Sequence, residues 1–119
     1  MSPTTRRLRA KSRELSPTAS PRSGLGVADL KQSFLDHLLC GLGRVPAAAT
    51  RNDSYTALAL TVRDRVLRQG VRTLEAYHER DARIVAYLSA EFLPGPHLAN
   101  NLLNLGIVEP ARQAVAELG

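Results

Sequence analysis

One stretch of this chain carries most of its information: Tyr-Leu-Ser-Ala-Glu-Phe-Leu-Pro-Gly-Pro-His-Leu-Ala-Asn-Asn-Leu-Leu-Asn-Leu-Gly, at residues 87–106. It passes from an apolar segment through Glu91 into a predicted helix. The apolar core, Ile-Val-Ala-Tyr-Leu at 84–88, shows no alternation with polar residues, which predicts a strand over 83–89 buried on both faces. Ligands bind beyond the carboxyl ends of parallel strands, so Glu91 stands where a charged group can take part in chemistry.

The rest of the chain is predicted to be helical. Apolar spacings of three and four, interrupted by glycine and proline, predict helices over 29–40, 53–79, 97–105 and 109–118 and a loop over 41–51. Asn52 or Asp53 is expected to cap the longest helix. No second segment reads as a strand, so the first must pair with another copy or, the favoured interpretation, with neighbours outside this sequence. The predicted fold is a mostly α-helical fragment with one buried β-strand.

The helix over 53–79 carries two apolar stripes, which indicates that it is covered from two directions. One stripe consists of Tyr55, Leu58, Ala59, Val62, Val66 and Tyr77, and the other of Leu60, Leu67, Val71, Leu74 and His78. The side left polar, and predicted to face solvent, carries Thr61, Arg65, Arg68, Arg72, Glu75 and Glu79. Two short flanking helices are a poor match for two stripes, so more protein is expected to pack here.

The excess positive charge lies in an amino-terminal tail. The net charge is +5, and residues 1–22 hold six basic residues against one acid, while the rest of the chain has ten of each. With few apolar residues, the segment over 1–25 is predicted to be a disordered basic tail ahead of a folded part over 26–119. The tail is interpreted as solvated chain; binding of phosphate or an anionic surface, or a targeting role, are the alternatives.

Cysteine and histidine usage excludes several classes of site. Cys40 is the only cysteine, which rules out an internal disulfide and an all-cysteine metal site and suits a reducing, cytoplasmic compartment. His37, His78 and His97 lack the spacing of metal ligands. No apolar run reaches the roughly 20 residues that span a bilayer, so we expect a soluble protein without a membrane partner.

Several strings together resemble the glycogen, starch and maltodextrin (α-glucan) phosphorylases. These are Tyr-Leu-Ser-x-Glu-Phe-x-x-Gly at 87–95 with its Asn-rich helix, Leu-Lys-x-Ser-Phe at 30–34, Ala-Thr-x-x-Asp at 49–53 and Thr-Val-Arg-Asp at 61–64. Phosphorylases are several times longer than this chain. The resemblance therefore implies an amino-terminal fragment of a large α/β enzyme of the glycosyltransferase-B-like architecture.

The resemblance also implies the chemistry of a complete enzyme. Phosphate cleaves a terminal glucose from an α-1,4-glucan and releases glucose 1-phosphate, with pyridoxal phosphate as cofactor. The lysines present, Lys11 and Lys31, match nothing of the cofactor's lysine, so cofactor binding within this fragment is not expected, and the fragment alone is expected to be inactive.

Two sets of site residues follow from the resemblance. Glu91 would form part of the catalytic cleft wall in a supporting role, with Leu93 as an apolar neighbour of the cofactor. The non-catalytic alternative for Glu91 is a carboxylate stabilised near the positive end of the following helix. A homodimer contact is implied around residues 39–50, through Gly41, Leu42, Arg44 and Val45; without the resemblance, this would read as an ordinary surface loop.

Some positions depart from the family's pattern. Gly70 stands where many relatives have tryptophan, and Leu74, Glu75 and His78 supply neither the ring nor the amides that bind an activating nucleotide. The allosteric nucleotide site is therefore expected to be absent. Pro96 replaces an arginine that is common in the family.

A second class of function remains open from the sequence. The chain could be a small helical interaction module whose arginine-rich tail binds an acidic partner, although nucleic acid is not the expected one. That hypothesis predicts salt-sensitive binding by residues 1–22 and a stable, folded isolated chain.

Overall fold

The computed structural model describes residues 20–90 and 95–119. Helix α1 spans Val27–Asp36 and continues into a π-helical turn at His37–Gly41. A short 3-10 turn at Pro46–Ala48 precedes the long helix α2, Arg51–Glu79, and the chain closes with α3, Leu98–Asn104, and α4, Val108–Leu118. The predicted helical character is confirmed. No helix within the described ranges is long and apolar enough to cross a membrane.

Helix α1 forms the centre of the fold because one of its faces is continuously apolar. Leu30, Phe34 and Leu38 recur at intervals of four and are all buried. Gly43, at a φ of 63°, lets the chain leave the π-helical turn, and the Arg44 N–H donates to the Leu38 carbonyl. That left-handed conformation is one that glycine adopts without steric cost.

Helix α2 begins with a capping box. The Thr50 hydroxyl accepts the Asp53 backbone N–H at 3.2 Å, and the Asp53 carboxylate accepts the Thr50 N–H at 2.9 Å. The predicted cap, Asn52 or Asp53, was therefore two or three residues late, and Asp53 is the reciprocal partner instead. At the other end, Ala82 N–H donates to Tyr77 and Asp81 N–H to His78, a Schellman motif with Asp81 at a φ of 50°.

Two apolar clusters hold the helices together. Leu30 packs with Ile107, Ala111 and Ala114, which fixes α4 on one side of α1. Phe34 and Leu38 pack with Ala57, which fixes α2 on the other. An ion pair of 2.8 Å between Lys31 and Glu117 closes the edge of the contact between α1 and α4.

The predicted buried strand over 83–89 was wrong. Residues 82–89 adopt no regular secondary structure, and the described ranges contain no strand with which they could pair. Val85, Tyr87 and Leu88 are 92%, 90% and 93% exposed. A strand exists only when its N–H and C=O groups meet a ladder, and apolar sequence alone does not supply one.

Burial along α2 is confined to its first half. Its buried residues are Ala57, Thr61, Val62 and Arg65. Leu67, Val71 and Leu74 of the second predicted stripe are 57%, 53% and 62% exposed. Coverage from two directions is thus not observed within the described chain.

Candidate functional site

The residues predicted to form the cleft wall, Glu91 and Leu93, lie outside the described residues. On one side of them the chain at 82–90 is exposed, and on the other Gly95, Pro96 and His97 are also exposed. Both flanks of this segment therefore lie at the surface of the described chain.

The predicted dimer-contact loop is a defined surface feature. Gly41, Arg44 and Val45 are exposed and Leu42 is half-buried. Val45 is 53% exposed, and Leu39, one turn before the loop, is 55% exposed. The loop thus presents apolar side chains to solvent from the end of α1.

The loop is attached to the start of α2. Arg44 Nε lies 3.8 Å from the Asp53 carboxylate, which also accepts the Thr50 hydroxyl at 2.8 Å. The hydrogen bond from the Thr50 backbone, followed by that from its hydroxyl, holds the pKa of Asp53 below its usual value, and Arg44 acts in the same direction. Asp53 is therefore charged at neutral pH and anchors both the helix start and the loop.

A polar pair underlies the π-helical turn. His37 Nε2 lies 2.9 Å from Asp64 Oδ2, with side-chain exposures of 9% and 17%. The pair joins the end of α1 to α2, and His37 is the first residue of the π-helical turn.

An apolar groove of about 330 Å³ lies beside the loop. Phe34, Leu35 and Leu38 form one wall, Tyr55 and Leu58 another, and Leu118 an end. Arg51 and Ser54 provide polar groups in the lining. Among the described residues that line the groove there is no aspartate, glutamate or histidine side chain, and the lining is mainly apolar.

Arg65 is the residue that sequence reasoning placed most wrongly. Predicted on the solvent face with Thr61, it is only 3% exposed. Its Nε and Nη1 donate to the carbonyls of Gly24 and Thr61, each at 2.8 Å, and Nη2 donates to Pro21 at 3.1 Å and to the Ser33 hydroxyl at 3.4 Å. Desolvation lowers its pKa, while the charges of Asp29 and Asp64 oppose that effect. An arginine remains protonated throughout.

A signal for this burial was present in the sequence. Ala57, Thr61 and Arg65 recur at intervals of four, so they share one face of α2. Alanine and threonine at the first two positions let a neighbouring segment approach closely. The prediction that this face is exposed to solvent considered only its polar side chains.

The far half of α2 presents an open surface at the positions that depart from the family's pattern. Leu74 is 62% exposed, and a Cβ added at Gly70 would meet no atom within 4 Å. His78 is exposed as well. In the described ranges these residues do not enclose a pocket with one another.

A metal-binding cluster is not found among the described residues. No group of three or more histidine, cysteine, aspartate or glutamate side chains within residues 20–90 and 95–119 is placed to hold a metal ion. Lys31 pairs with Glu117 at the surface, which does not fit a lysine that holds pyridoxal phosphate in an enclosed site.

Comparison with known proteins places the chain in context. No family model matches it. It is 53% identical over 98 residues to a glycogen phosphorylase of Synechocystis sp., 43% identical to the brain-form glycogen phosphorylase of Bos taurus and 36% identical to a glycogen phosphorylase of Chlamydia trachomatis. Each match covers 82% of this chain and 12% of the relative.

The extent of these matches decides between the two classes of function. Because 82% of the chain aligns with enzymes of one name, an independent interaction module is not favoured. The chain spans only 12% of the length of these relatives, which is consistent with an amino-terminal fragment. Most of this chain is therefore similar in sequence to a short segment of glycogen phosphorylases.

Proposed function

We propose that this chain is the amino-terminal segment of an α-glucan phosphorylase, which uses phosphate to release glucose 1-phosphate from α-1,4-glucans. The observation that carries the proposal is the 53% identity over 98 residues to the cyanobacterial glycogen phosphorylase. In this account the segment supplies scaffold, subunit contact and one part of the cleft wall. The remaining catalytic machinery belongs to sequence beyond the matched region.

Two exposed apolar surfaces support a role inside a larger protein. Residues 84–88 carry four large apolar side chains that are at least 70% exposed, and Leu67, Val71 and Leu74 continue the exposure along α2. Surfaces of this kind mark places where another part of a protein packs. Burial of the segment over 83–89 between neighbouring strands of a larger protein would supply a ladder that residues 20–90 and 95–119 do not provide.

Glu91 is the residue we assign to the cleft wall. It follows Tyr-Leu-Ser-Ala in the string that resembles phosphorylases, three residues after the apolar segment 84–88. Its role is to orient water or basic groups, and it is not the general acid. Leu93, two residues further on, is the apolar neighbour proposed for the cofactor.

Pyridoxal phosphate, which would supply its own phosphate group to the reaction, is expected only in the longer protein. Lys31 is engaged with Glu117, and Lys11 lies outside the described residues, so neither supports a cofactor site here. The isolated chain is accordingly expected to bind no cofactor and to show no phosphorolysis.

We also propose that two copies of the longer protein associate through the loop residues Gly41, Leu42, Arg44 and Val45. The exposure of Val45 and the attachment of Arg44 to Asp53 support a preformed contact surface. Nucleotide activation is not expected, since Gly70 and Leu74 offer no ring or amide on the far half of α2.

A chimera tests the proposed function directly. The matched 98 residues of the Synechocystis sp. glycogen phosphorylase would be replaced by those of this chain. We expect phosphate-dependent release of glucose 1-phosphate from a maltodextrin, and a chimera with Glu91→Gln that retains pyridoxal phosphate but loses at least about tenfold in activity. A Glu109→Gln chimera, altered at an exposed position of α4, serves as the matched control.

The outcomes separate the parts of the proposal. A folded chimera that takes up the cofactor but releases no glucose 1-phosphate would contradict the proposed function. Equal activity of the Glu91→Gln and Glu109→Gln chimeras would remove Glu91 from the cleft wall while leaving the family role intact.

A further inference from the structure

The buried guanidinium of Arg65 binds a segment that was predicted to be part of a disordered tail. Residues 20–24, which we call the strap, form a turn in which the N–H groups of Ser23 and Gly24 donate to the Ser20 carbonyl at 2.8 and 3.3 Å. The Ser23 hydroxyl donates to the same carbonyl at 2.7 Å. The strap is thus an ordered element that joins residues 1–19 to α1.

Arg65 provides the principal polar attachment of the strap. Its Nε and Nη2 donate to the carbonyls of Gly24 and Pro21, at the two ends of the turn, and Nη1 donates to Thr61 on its own helix. Ser33 of α1 donates to the Pro21 carbonyl at 3.1 Å, so α1, α2 and the strap meet at one point. A guanidinium has five N–H donors in a fixed planar arrangement, which allows it to donate to several carbonyls at once.

The partners of Arg65 are unusual for a buried charge. Arg65 forms no ion pair with a described carboxylate, and its hydrogen bonds go to three carbonyls and one hydroxyl. A buried charge without hydrogen-bond partners is costly. If the strap opened, water would have to replace the carbonyls of Pro21 and Gly24 as acceptors for Arg65. The strap therefore shields the Arg65 guanidinium from water.

Gly24 allows the close approach that the attachment requires. A Cβ added there would overlap the side chain of Asp29, including its Cβ, in the first turn of α1. The contact involves the strap and α1 but not the apolar clusters of the core. The substitution Gly24→Ala therefore perturbs the packing of the strap on α1 without replacing Arg65.

We propose that Arg65 acts as a latch that holds the strap on the helical body, so that the strap opens only when these hydrogen bonds break and does so without unfolding of the helices. The latch is a positioning device, independent of the proposed phosphorolysis.

The test uses the full 119-residue chain and two readouts: trypsin cleavage after Arg22, which lies within the strap, and amide exchange at Ser23 and Gly24. Arg65→Lys keeps the charge but loses the planar set of donors. We expect both strap readouts to accelerate at least about tenfold, as expected when charge-assisted hydrogen bonds are lost. Amide exchange within α1, at Phe34 and Leu38, should change much less.

Arg63→Lys is the matched control, because Arg63 is on the same helix with a side chain that is 59% exposed. Gly24→Ala should reproduce the effect of Arg65→Lys and decides the question if the latter fails to fold. Strap readouts equal to the control in Gly24→Ala and in a folded Arg65→Lys would overturn the proposal. Parallel acceleration of the strap and of α1 would also overturn it, because opening would then be global unfolding.

Discussion

The two halves of α2 have similar apolar patterns and different surroundings. From Arg51 to Arg65 the helix has a capping box at its start, Ala57 and Val62 buried against neighbours, and Arg65 bound to the strap. From residue 66 onward its large apolar side chains, Leu67, Val71 and Leu74, are more than half exposed. Periodicity thus identifies a helix face that can be buried. Whether that face is buried depends on a neighbouring segment that packs against it.

The largest expected effect distinguishes a leucine that packs against the first half of α2 from an exposed leucine on its far half. Leu38→Ala removes a side chain that is 1% exposed and packs against Ala57, and should lower the free energy of unfolding by about 2–5 kcal/mol. Leu74→Ala, at 62% exposure, should change it by no more than about 0.5 kcal/mol. Urea denaturation of both variants provides the measurement. Similar losses would show that the far half of α2 is packed in solution.

The start of α2 offers a sharper test of the ordered half. Thr50→Ala removes the hydroxyl that caps the helix and should cost about 0.5–2 kcal/mol in unfolding free energy. Thr50→Ser retains the hydroxyl and is the control. Thermal unfolding followed by circular dichroism measures both variants, and equal midpoints would mean that the capping box does not stabilise the helix.

The same capping box predicts a pH dependence. The pKa of Asp53 is lowered in the folded state, so its stabilising contribution is present above the ordinary value of 3.8 and is lost as the pH falls through the lower folded value. Asp53→Asn should therefore flatten the acid limb of the stability curve below about pH 4, whereas the wild type should lose stability there. Urea midpoints measured between pH 6 and 3 test this, and identical acid limbs would contradict it.

The smallest effect concerns the end of the exposed half. Asp81 occupies the left-handed position of the Schellman motif, which glycine fills with less steric cost. Asp81→Gly should raise the free energy of unfolding by up to about 1 kcal/mol if the far half of α2 is helical to its end. Ala82→Gly, one residue later, provides the control. A destabilised Asp81→Gly variant would indicate that α2 ends earlier.

The sequence predicted those parts of the fold that depend on local pattern. Apolar spacings of three and four predicted a helix over 29–40, and Leu30, Phe34 and Leu38 at such spacings form the buried face there. The prediction of a strand over 83–89 was wrong. Its apolar residues indicate a buried environment, and the described residues do not provide one. Local pattern carries no information on whether a ladder partner is present.

The candidate site was less accessible to sequence reasoning. The contact of Arg65 with Pro21 and Gly24 joins residues more than 40 positions apart, and no periodicity reports such a pairing. The pairing of His37 with Asp64 is of the same kind. Glu91 and Leu93 rest on resemblance to phosphorylases, and their roles stay predictions.

Residues 83–88, in the role proposed above, are buried by the rest of a larger protein. Hydrogen exchange followed by mass spectrometry should compare this segment in the 119-residue chain and in the phosphorylase chimera. We predict exchange near the rate of an unstructured peptide in the isolated chain, and at least about 100-fold protection in the chimera. Equal protection of the segment in a monomeric isolated chain would contradict the claim.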